Sequence, residues 1–181
     1  MAIEVTFELN DADLEHFRTI MKEAQQGAQS LEESHVLENA KKLSEDVAST
    51  SVPDFVSSRL SQLQTLVAMV EDKEWDIPEE ERKDVISALA YFSEPEDLVP
   101  DHIPVLGFLD DAIMIELVAA DLKDDIEAFE EFCEYRERES ARGGAEATRD
   151  EWLDAKRREL HSRMRNRRTS RRKRSSFRSI F

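Results

Sequence analysis

The sequence predicts an all-α protein: a compact bundle of six or seven helices with a short N-terminal strand and a basic, partly disordered C-terminal tail. Three observations support this fold class. The 181 residues include only 4 glycines and 5 prolines, charged residues make up 36% of the chain, and apolar residues recur at helical spacing. Such a composition favours long solvated helices over a turn-rich sheet, and the length suits one domain of ordinary size.

The N-terminal segment carries the pattern of a short strand. Ile3, Val5, Phe7 and Leu9 alternate with polar residues, which is the period of a half-buried strand. A single strand leaves backbone N–H and C=O groups unpaired along its edges. We therefore expect it to cover a groove between helices or to pair with a second copy of the chain, which would give a homodimer.

Four helices are predicted next, each with a start signal and an apolar stripe. Asp11 is the expected N-cap of the first, and Ser30 with Glu33 forms a capping box for the second. Pro53 and Pro78 suit the first turns of the third and fourth. The third has the most regular stripe, which is expected to face the core and consists of Val56, Leu60, Leu63, Val67 and Val70.

The second half begins with a break and continues with the most apolar helix. Pro95, Pro100 and Pro104 exclude regular helix for about ten residues. From about His102 the chain is predicted to re-enter a helix, with Asp101 as its N-cap. Apolar residues cover nearly every side of this helix, which is typical of a central, buried one.

Two further helices complete the prediction. The first carries an apolar stripe that includes Phe129 and Cys133, and it is expected to end at Gly143. The second begins with a capping box at Thr148 and leads into a tail that we expect to be disordered beyond about Arg168. We divide the chain into an N-terminal strand with two helices at 1–52, a helical core at 53–141, and a basic helix with its tail at 142–181.

Residues 97–111, DLVPDHIPVLGFLDD, place four aspartates in an apolar setting. Asp110 and Asp111 lie about 100° apart on the predicted helix, and neither lies on a polar face. A bare buried carboxylate costs several kcal/mol, so at least one of them needs a partner. Three possibilities remain open beside a structural role in capping: a divalent cation, acid–base work by two carboxylates, and a basic residue of a partner.

A cation site would join Asp97 or Asp101 to Asp110 or Asp111, and these four aspartates are the candidate ligands. Oxygen ligands alone suit Mg²⁺, Mn²⁺ or Ca²⁺ better than zinc. A divalent-metal-dependent enzyme is therefore the alternative to a binding module.

The same stretch resembles the core motif of the YkvA-like family, bacterial domains of unknown function, over about residues 85–125. The resemblance implies no activity. Many short members are predicted to be membrane-embedded around the motif, but Asp110, Asp111 and Glu116 in the apolar helix argue against insertion here, and no segment has the roughly 18 uncharged apolar residues of a spanning helix. The family's characteristic positions correspond to Asp97, Pro100, Asp101, Ile103, Pro104, Gly107, Asp110 and Asp111.

Charge is strongly segregated along the chain. Residues 156–181 contain 12 Lys/Arg and one acid, whereas residues 1–155 contain 13 Lys/Arg and 40 acids. A basic tail indicates an anionic partner, which could be nucleic acid, a membrane surface assisted by Phe177, Ile180 and Phe181, an acidic protein, or the protein's own acidic body. The expected contact residues are Arg163, Arg165, Arg167, Arg168, Arg171, Arg172, Lys173 and Arg174.

These patterns predict a noncatalytic binding or adaptor module. The chain has no glycine-rich phosphate loop, no HExxH and no nucleophile elbow. The tail lacks aromatic residues interleaved for base stacking, so binding to nucleic acid would be nonspecific. A single cysteine, Cys133, is expected to pack in the core, and the absence of a disulfide framework suggests a reducing cytoplasm, with a peripheral membrane location as an alternative.

Overall fold

The computed structural model describes residue 6 and residues 8–27, 31–93, 107–143 and 146–178. Over these ranges the chain forms seven α-helices and one short 3₁₀ helix, which confirms the all-α class. The helices are α1 Asp11–Gly27, α2 Glu33–Ala48, α3 Asp54–Glu71, α4 Glu79–Leu89, the 3₁₀ helix Ala90–Ser93, α5 Leu109–Asp121, α6 Lys123–Arg142 and α7 Glu146–Arg178. The predicted strand falls largely outside the described residues, and those of its residues that are described, 6, 8 and 9, lie in no regular element.

The starts of the first two helices differ from the predicted ones: α1 starts one residue earlier and α2 starts later. Asn10, not Asp11, caps α1: its side-chain Oδ1 accepts hydrogen bonds from the backbone N–H of Ala12 at 2.8 Å and of Asp13 at 3.2 Å, and the Asp13 carboxylate accepts one from the Asn10 N–H at 2.9 Å. The predicted capping box of α2 is wrong, because the helix begins at Glu33 after Glu32 rather than near Ser30.

Both prolines that were expected to open helices do so. The Pro53 carbonyl accepts the backbone N–H of Val56 at 2.9 Å, and the Pro78 carbonyl accepts that of Arg82 at 2.8 Å. Each proline therefore lies one residue before its helix, where its missing N–H is no loss. The predicted stripe of α3 is also confirmed, since four of its five residues, Val56, Leu63, Val67 and Val70, are buried.

The chain divides into two compact units, of which the first comprises Met1–Leu60 and Ile86–Leu117. In this unit α1 and α2 pack against the 3₁₀ helix. A hydrophobic cluster joins Val47 of α2, Val56 of α3, and Phe108 with Ala112 at the start of α5. Each compact unit is made of two stretches of chain, and the consecutive division at residues 52 and 141 stays a prediction.

The helix that was expected to begin near His102 begins at Leu109. Gly107 and Phe108 form a turn before it, and Phe108 has a φ of 65°, which a right-handed helix cannot contain. Burial of the Phe108 ring in the cluster of the first unit holds this strained residue in place. The rest of the prediction is confirmed, because α5 is buried on most of its sides.

The second unit comprises Ser61–Val85 and Val118–Phe181. Its central side chain is Trp75, in the α3–α4 loop, which is fully buried. The Trp75 ring lies 5.2 Å from Phe132, 5.7 Å from Phe129 and 4.4 Å from His161, measured between ring centroids. One side chain from the loop thus joins α6 to α7.

The last helix is longer at both ends than its sequence signals indicate. It begins at Glu146, so Thr148 lies inside it, and it continues to Arg178, so the expected disorder beyond Arg168 is not confirmed. Buried Leu160 and Met164 anchor this helix in the second unit. None of the helices in the described ranges is long and apolar enough to cross a membrane.

Candidate functional site

The aspartate motif is only partly within the described residues. Asp110 and Asp111 lie in the first turn of α5, with 2% and 8% of their surface exposed. Both take part in polar or electrostatic interactions, as the cost of burying a carboxylate requires. Their position suits the positive end of the helix dipole, and Gly107 is buried in the preceding turn. The other motif residues, Asp97, Pro100, Asp101, Ile103 and Pro104, fall outside the described ranges.

The predicted metal site therefore remains a prediction. Two of its four ligands are not described, and across the ranges that are described no three His, Cys, Asp or Glu side chains form a group suited to a metal ion. Mg²⁺, Mn²⁺ or Ca²⁺ would need Asp97 or Asp101 to approach Asp110 or Asp111.

The basic helix α7 lies against acidic residues of α4 and α6. Arg163 hydrogen-bonds the Glu131 carboxylate, which also binds Lys156 at 2.7 Å. Arg167 lies 3.3 Å from Asp124 and 3.2 Å from Glu127. Arg163 and Arg167 of the basic tail thus bind carboxylates of the protein's own acidic body. This body is one of the anionic partners predicted from the charge of the tail.

Arg168 belongs to a more deeply buried part of the same contact. Its guanidinium binds the Asp84 carboxylate and lies 3.5 Å from a carboxylate oxygen of Glu81, which is only 2% exposed. Asp125 of α6, also buried, adds to the negative charge around it. Burial of the guanidinium acts to lower the pKa of Arg168. The carboxylates of Asp125 and Asp84 outweigh this effect and raise the pKa above its usual value.

The remaining predicted contact residues divide into two groups. Arg165 is exposed on the α7 surface. The side chains of residues 171–174 are not described, although the α7 backbone is helical through them.

Ion pairs set the pKa of Glu131. Hydrogen bonds from Arg163 and Lys156 lower it from 4.5 to about 2, so this carboxylate stays ionised at any moderately acidic pH. The stability contributed by these bonds is complete above the unfolded pKa and is lost as the pH falls from about 4.5 towards 2.

Asp125 behaves in the opposite way. Burial raises its pKa from 3.8 to about 6, with the Arg168 charge opposing and the Glu81 charge adding to the shift. Among the described residues, its Oδ1 atom accepts no hydrogen bond. The folded state binds a proton here more tightly than the unfolded state, so stability falls as the pH rises from about 3.8 to about 6.

We expect Asp125→Asn to stabilise the protein at pH 7.5 by about 2–3 kcal/mol, because it removes a poorly solvated charge. At pH 4 the two proteins should differ little. Urea denaturation at both pH values measures the difference, with the exposed Glu130→Gln as a control for the loss of one negative charge. Destabilisation at pH 7.5 would mean that attraction to Arg168 outweighs the cost of burial.

A second group of ion pairs involves the loop between α3 and α4. Arg136 binds Asp72 at 2.7 Å and Glu74 at 3.0 Å, and Arg149 binds Glu74 at 3.2 Å. Arg157 donates to the Glu74 carbonyl at 3.1 Å. Sequence reasoning missed these residues, because the partners are 62 to 83 residues apart and no local motif marks them.

Cys133 is half-buried on α6, and burial raises the pKa of its thiol, with Arg136 opposing the shift. The thiol therefore stays protonated at neutral pH, unlike a catalytic nucleophile.

The aspartate motif lies in a segment that is similar to a known protein family. A family model described as "Protein of unknown function (DUF1232)" matches residues 85–117. The segment resembles that family. This confirms the resemblance predicted for about residues 85–125, and the description assigns no activity. No curated protein and no solved structure matches the chain.

The DUF1232 segment and the basic helix are separate along the chain. The match ends at residue 117, within α5, and α7 begins at Glu146. Any function of α7 must therefore be argued from its own residues and contacts.

Proposed function

We propose that this protein is a noncatalytic binding module whose basic helix α7 contacts the phosphate backbone of nucleic acid without sequence specificity. The observation that supports it most is the composition of residues 165–178, which lie in one continuous helix. These 14 residues include eight Lys or Arg and a single apolar residue, Phe177. A helical array of cations is suited to neutralising a row of phosphates.

The same composition favours nucleic acid over a membrane surface. A helix that lies on a membrane needs an apolar face that enters the headgroup region. Phe177 alone cannot provide such a face along residues 165–178. Ile180 and Phe181 lie outside the described residues, so a membrane contact through them is an outcome that the experiment must distinguish.

The acidic body does not prevent this contact at the end of the helix. The α7 backbone continues ten residues past Arg168, a distance of about 15 Å at 1.5 Å per residue. This exceeds the screening length of about 8 Å at physiological salt. The carboxylates that bind Arg168 therefore offset the charge of Arg178 only weakly.

The proposal also includes a cytoplasmic location and allows a homodimer. With no disulfide framework and one free thiol, at Cys133, the protein suits the reducing cytoplasm. A homodimer formed through residues 1–9 remains compatible with the proposal, because it would place two basic helices in one particle. Neither part depends on the aspartate motif.

Replacing Arg171, Arg172, Lys173 and Arg174 by glutamine tests the proposed contact. We expect the variant to keep its helical content and to bind a short mixed-sequence DNA duplex far more weakly. The slope of log K against log salt should fall by up to about 3.6, since each lost phosphate contact removes about 0.9. Fluorescence anisotropy at several salt concentrations measures both quantities.

The matched control is Phe177→Ser combined with Ile180→Ser and Phe181→Ser, which keeps every cation. It should bind the duplex like the wild type. The proposal is wrong if the full-length protein binds neither DNA nor RNA at low salt, or if the glutamine variant binds as tightly as the wild type. Binding to anionic vesicles that only the serine variant loses would indicate a membrane surface instead.

A further inference from the structure

The contact between α6 and α7 leaves an open groove in which hydrogen-bond donors of α7 lie beside the carboxylates of Asp124 and Glu159. The groove has a volume of about 600 Å³, and α7 contributes most of its lining. The lining residues from α7 that can donate hydrogen bonds are Ser162, Arg163, Asn166, Arg167 and Ser170. Ser162, Asn166 and Ser170 form one row at a spacing of four, and Arg163 and Arg167 form the neighbouring row, so all five follow one side of the helix. Arginine, serine and asparagine are among the residues that most often contact phosphate oxygens.

Carboxylates of the acidic body already form ion pairs with the arginines of this groove. Glu131 binds Arg163, while Asp124 and Glu127 bind Arg167. Beyond the groove, Asp84 binds Arg168. A guanidinium uses the same planar set of N–H donors for a carboxylate and for a phosphate. The two acceptors therefore compete for the same groups.

We infer that this groove is a second, internally blocked part of the nucleic-acid surface, in which carboxylates of α6 hold Arg163 and Arg167 until phosphates replace them. The inference rests on the proposed function of α7 and adds its regulation: the body acts as a competitor for its own basic helix. Nucleic acid binds first to the end of α7 and gains the inner arginines only where it displaces carboxylates.

The exposure of these groups makes the exchange physically reasonable. The side chains of Glu127 and Arg167 are 47% and 44% exposed, those of Glu131 and Arg163 are each 34% exposed, and that of Asp124 is 13% exposed. Exposed ion pairs contribute little stability and are screened by salt. Leu153, Leu160 and Met164 are buried, so α7 stays anchored while its ion pairs open.

A pair of triple variants tests the competition. The first, Asp124→Asn with Glu127→Gln and Glu131→Gln, removes carboxylates that bind Arg163 and Arg167. The second, Glu130→Gln with Glu134→Gln and Glu137→Gln, removes the same charge from exposed positions of α6 that line a different groove, beside Gln64 and Thr65 of α3. Both variants raise the net charge by three, so long-range attraction to DNA changes equally.

We expect the first triple variant to bind a short mixed-sequence DNA duplex more tightly than the second, with a steeper salt dependence. Each arginine that is freed to contact a phosphate adds about 0.9 to the slope of log K against log salt. Two freed arginines therefore add up to about 1.8, while the second variant keeps the wild-type slope. Thermal melts confirm that each protein is folded at the temperature of the binding measurement.

Two results would overturn the inference, and they are distinguishable. If the wild type binds DNA and both triple variants show its slope, the inner arginines are purely structural, and the proposed function stands without the competition. If the wild type and both variants fail to bind DNA at low salt, the proposed function fails together with the inference.

Discussion

Replacing Trp75 by alanine is expected to lower the free energy of unfolding by about 3–5 kcal/mol. The indole is fully buried and contacts the rings of Phe129, Phe132 and His161. Alanine would leave a cavity where the α3–α4 loop, α6 and α7 meet.

Urea denaturation followed by helical circular dichroism measures the effect, and Trp152→Ala is the matched control. Trp152 is the other tryptophan of the chain, and it is 44% exposed on α7. Its replacement should change stability by less than about 0.5 kcal/mol. Equal losses in the two variants would show that Trp75 is not a packing centre.

The second large effect is a loss of stability in weak acid that depends on His161. Burial lowers the pKa of this imidazole from 6.5 to about 4, and the charges of Arg157 and Arg165 act in the same direction. Asp76 and a backbone hydrogen bond with Trp75 oppose the shift. The unfolded state therefore binds a proton more tightly than the folded state, and stability falls as the pH decreases from about 6.5 to about 4.

The expected loss is about 3 kcal/mol between pH 7 and pH 4, since one pKa unit corresponds to about 1.4 kcal/mol. Protonation of Asp125 acts in the opposite direction below about pH 6, so the wild-type curve alone does not isolate His161. The difference between the wild type and His161→Gln does isolate it.

This difference is measured as the change in unfolding free energy at pH 7, 5.5 and 4. The glutamine variant should lose less stability in acid than the wild type. His35→Gln, at an exposed position of α2, serves as the control and should behave like the wild type. An identical acid response of His161→Gln and the wild type would contradict the expectation.

The helices themselves were predictable, because apolar stripes at helical spacing are local in sequence. The third helix shows this best, with both its opening proline, Pro53, and its buried stripe as predicted. Exact starts were less predictable, since several residues compete to cap the same helix, as Asn10 and Asp11 do. The turn at Phe108 could not be predicted, because only burial of its ring in the first unit stabilises a φ of 65°.

The sequence by itself determined the all-α class, the acidic body, the basic tail and the motif shared with the DUF1232 family. Only the tertiary structure decided which charges meet. Arg163 and Glu131 are 32 residues apart, Arg167 and Glu127 are 40 apart, and Arg168 and Asp84 are 84 apart. Composition gives the sign of such an attraction but not its partners, because pairing depends on how buried Trp75, Leu160 and Met164 position α7 in the second unit.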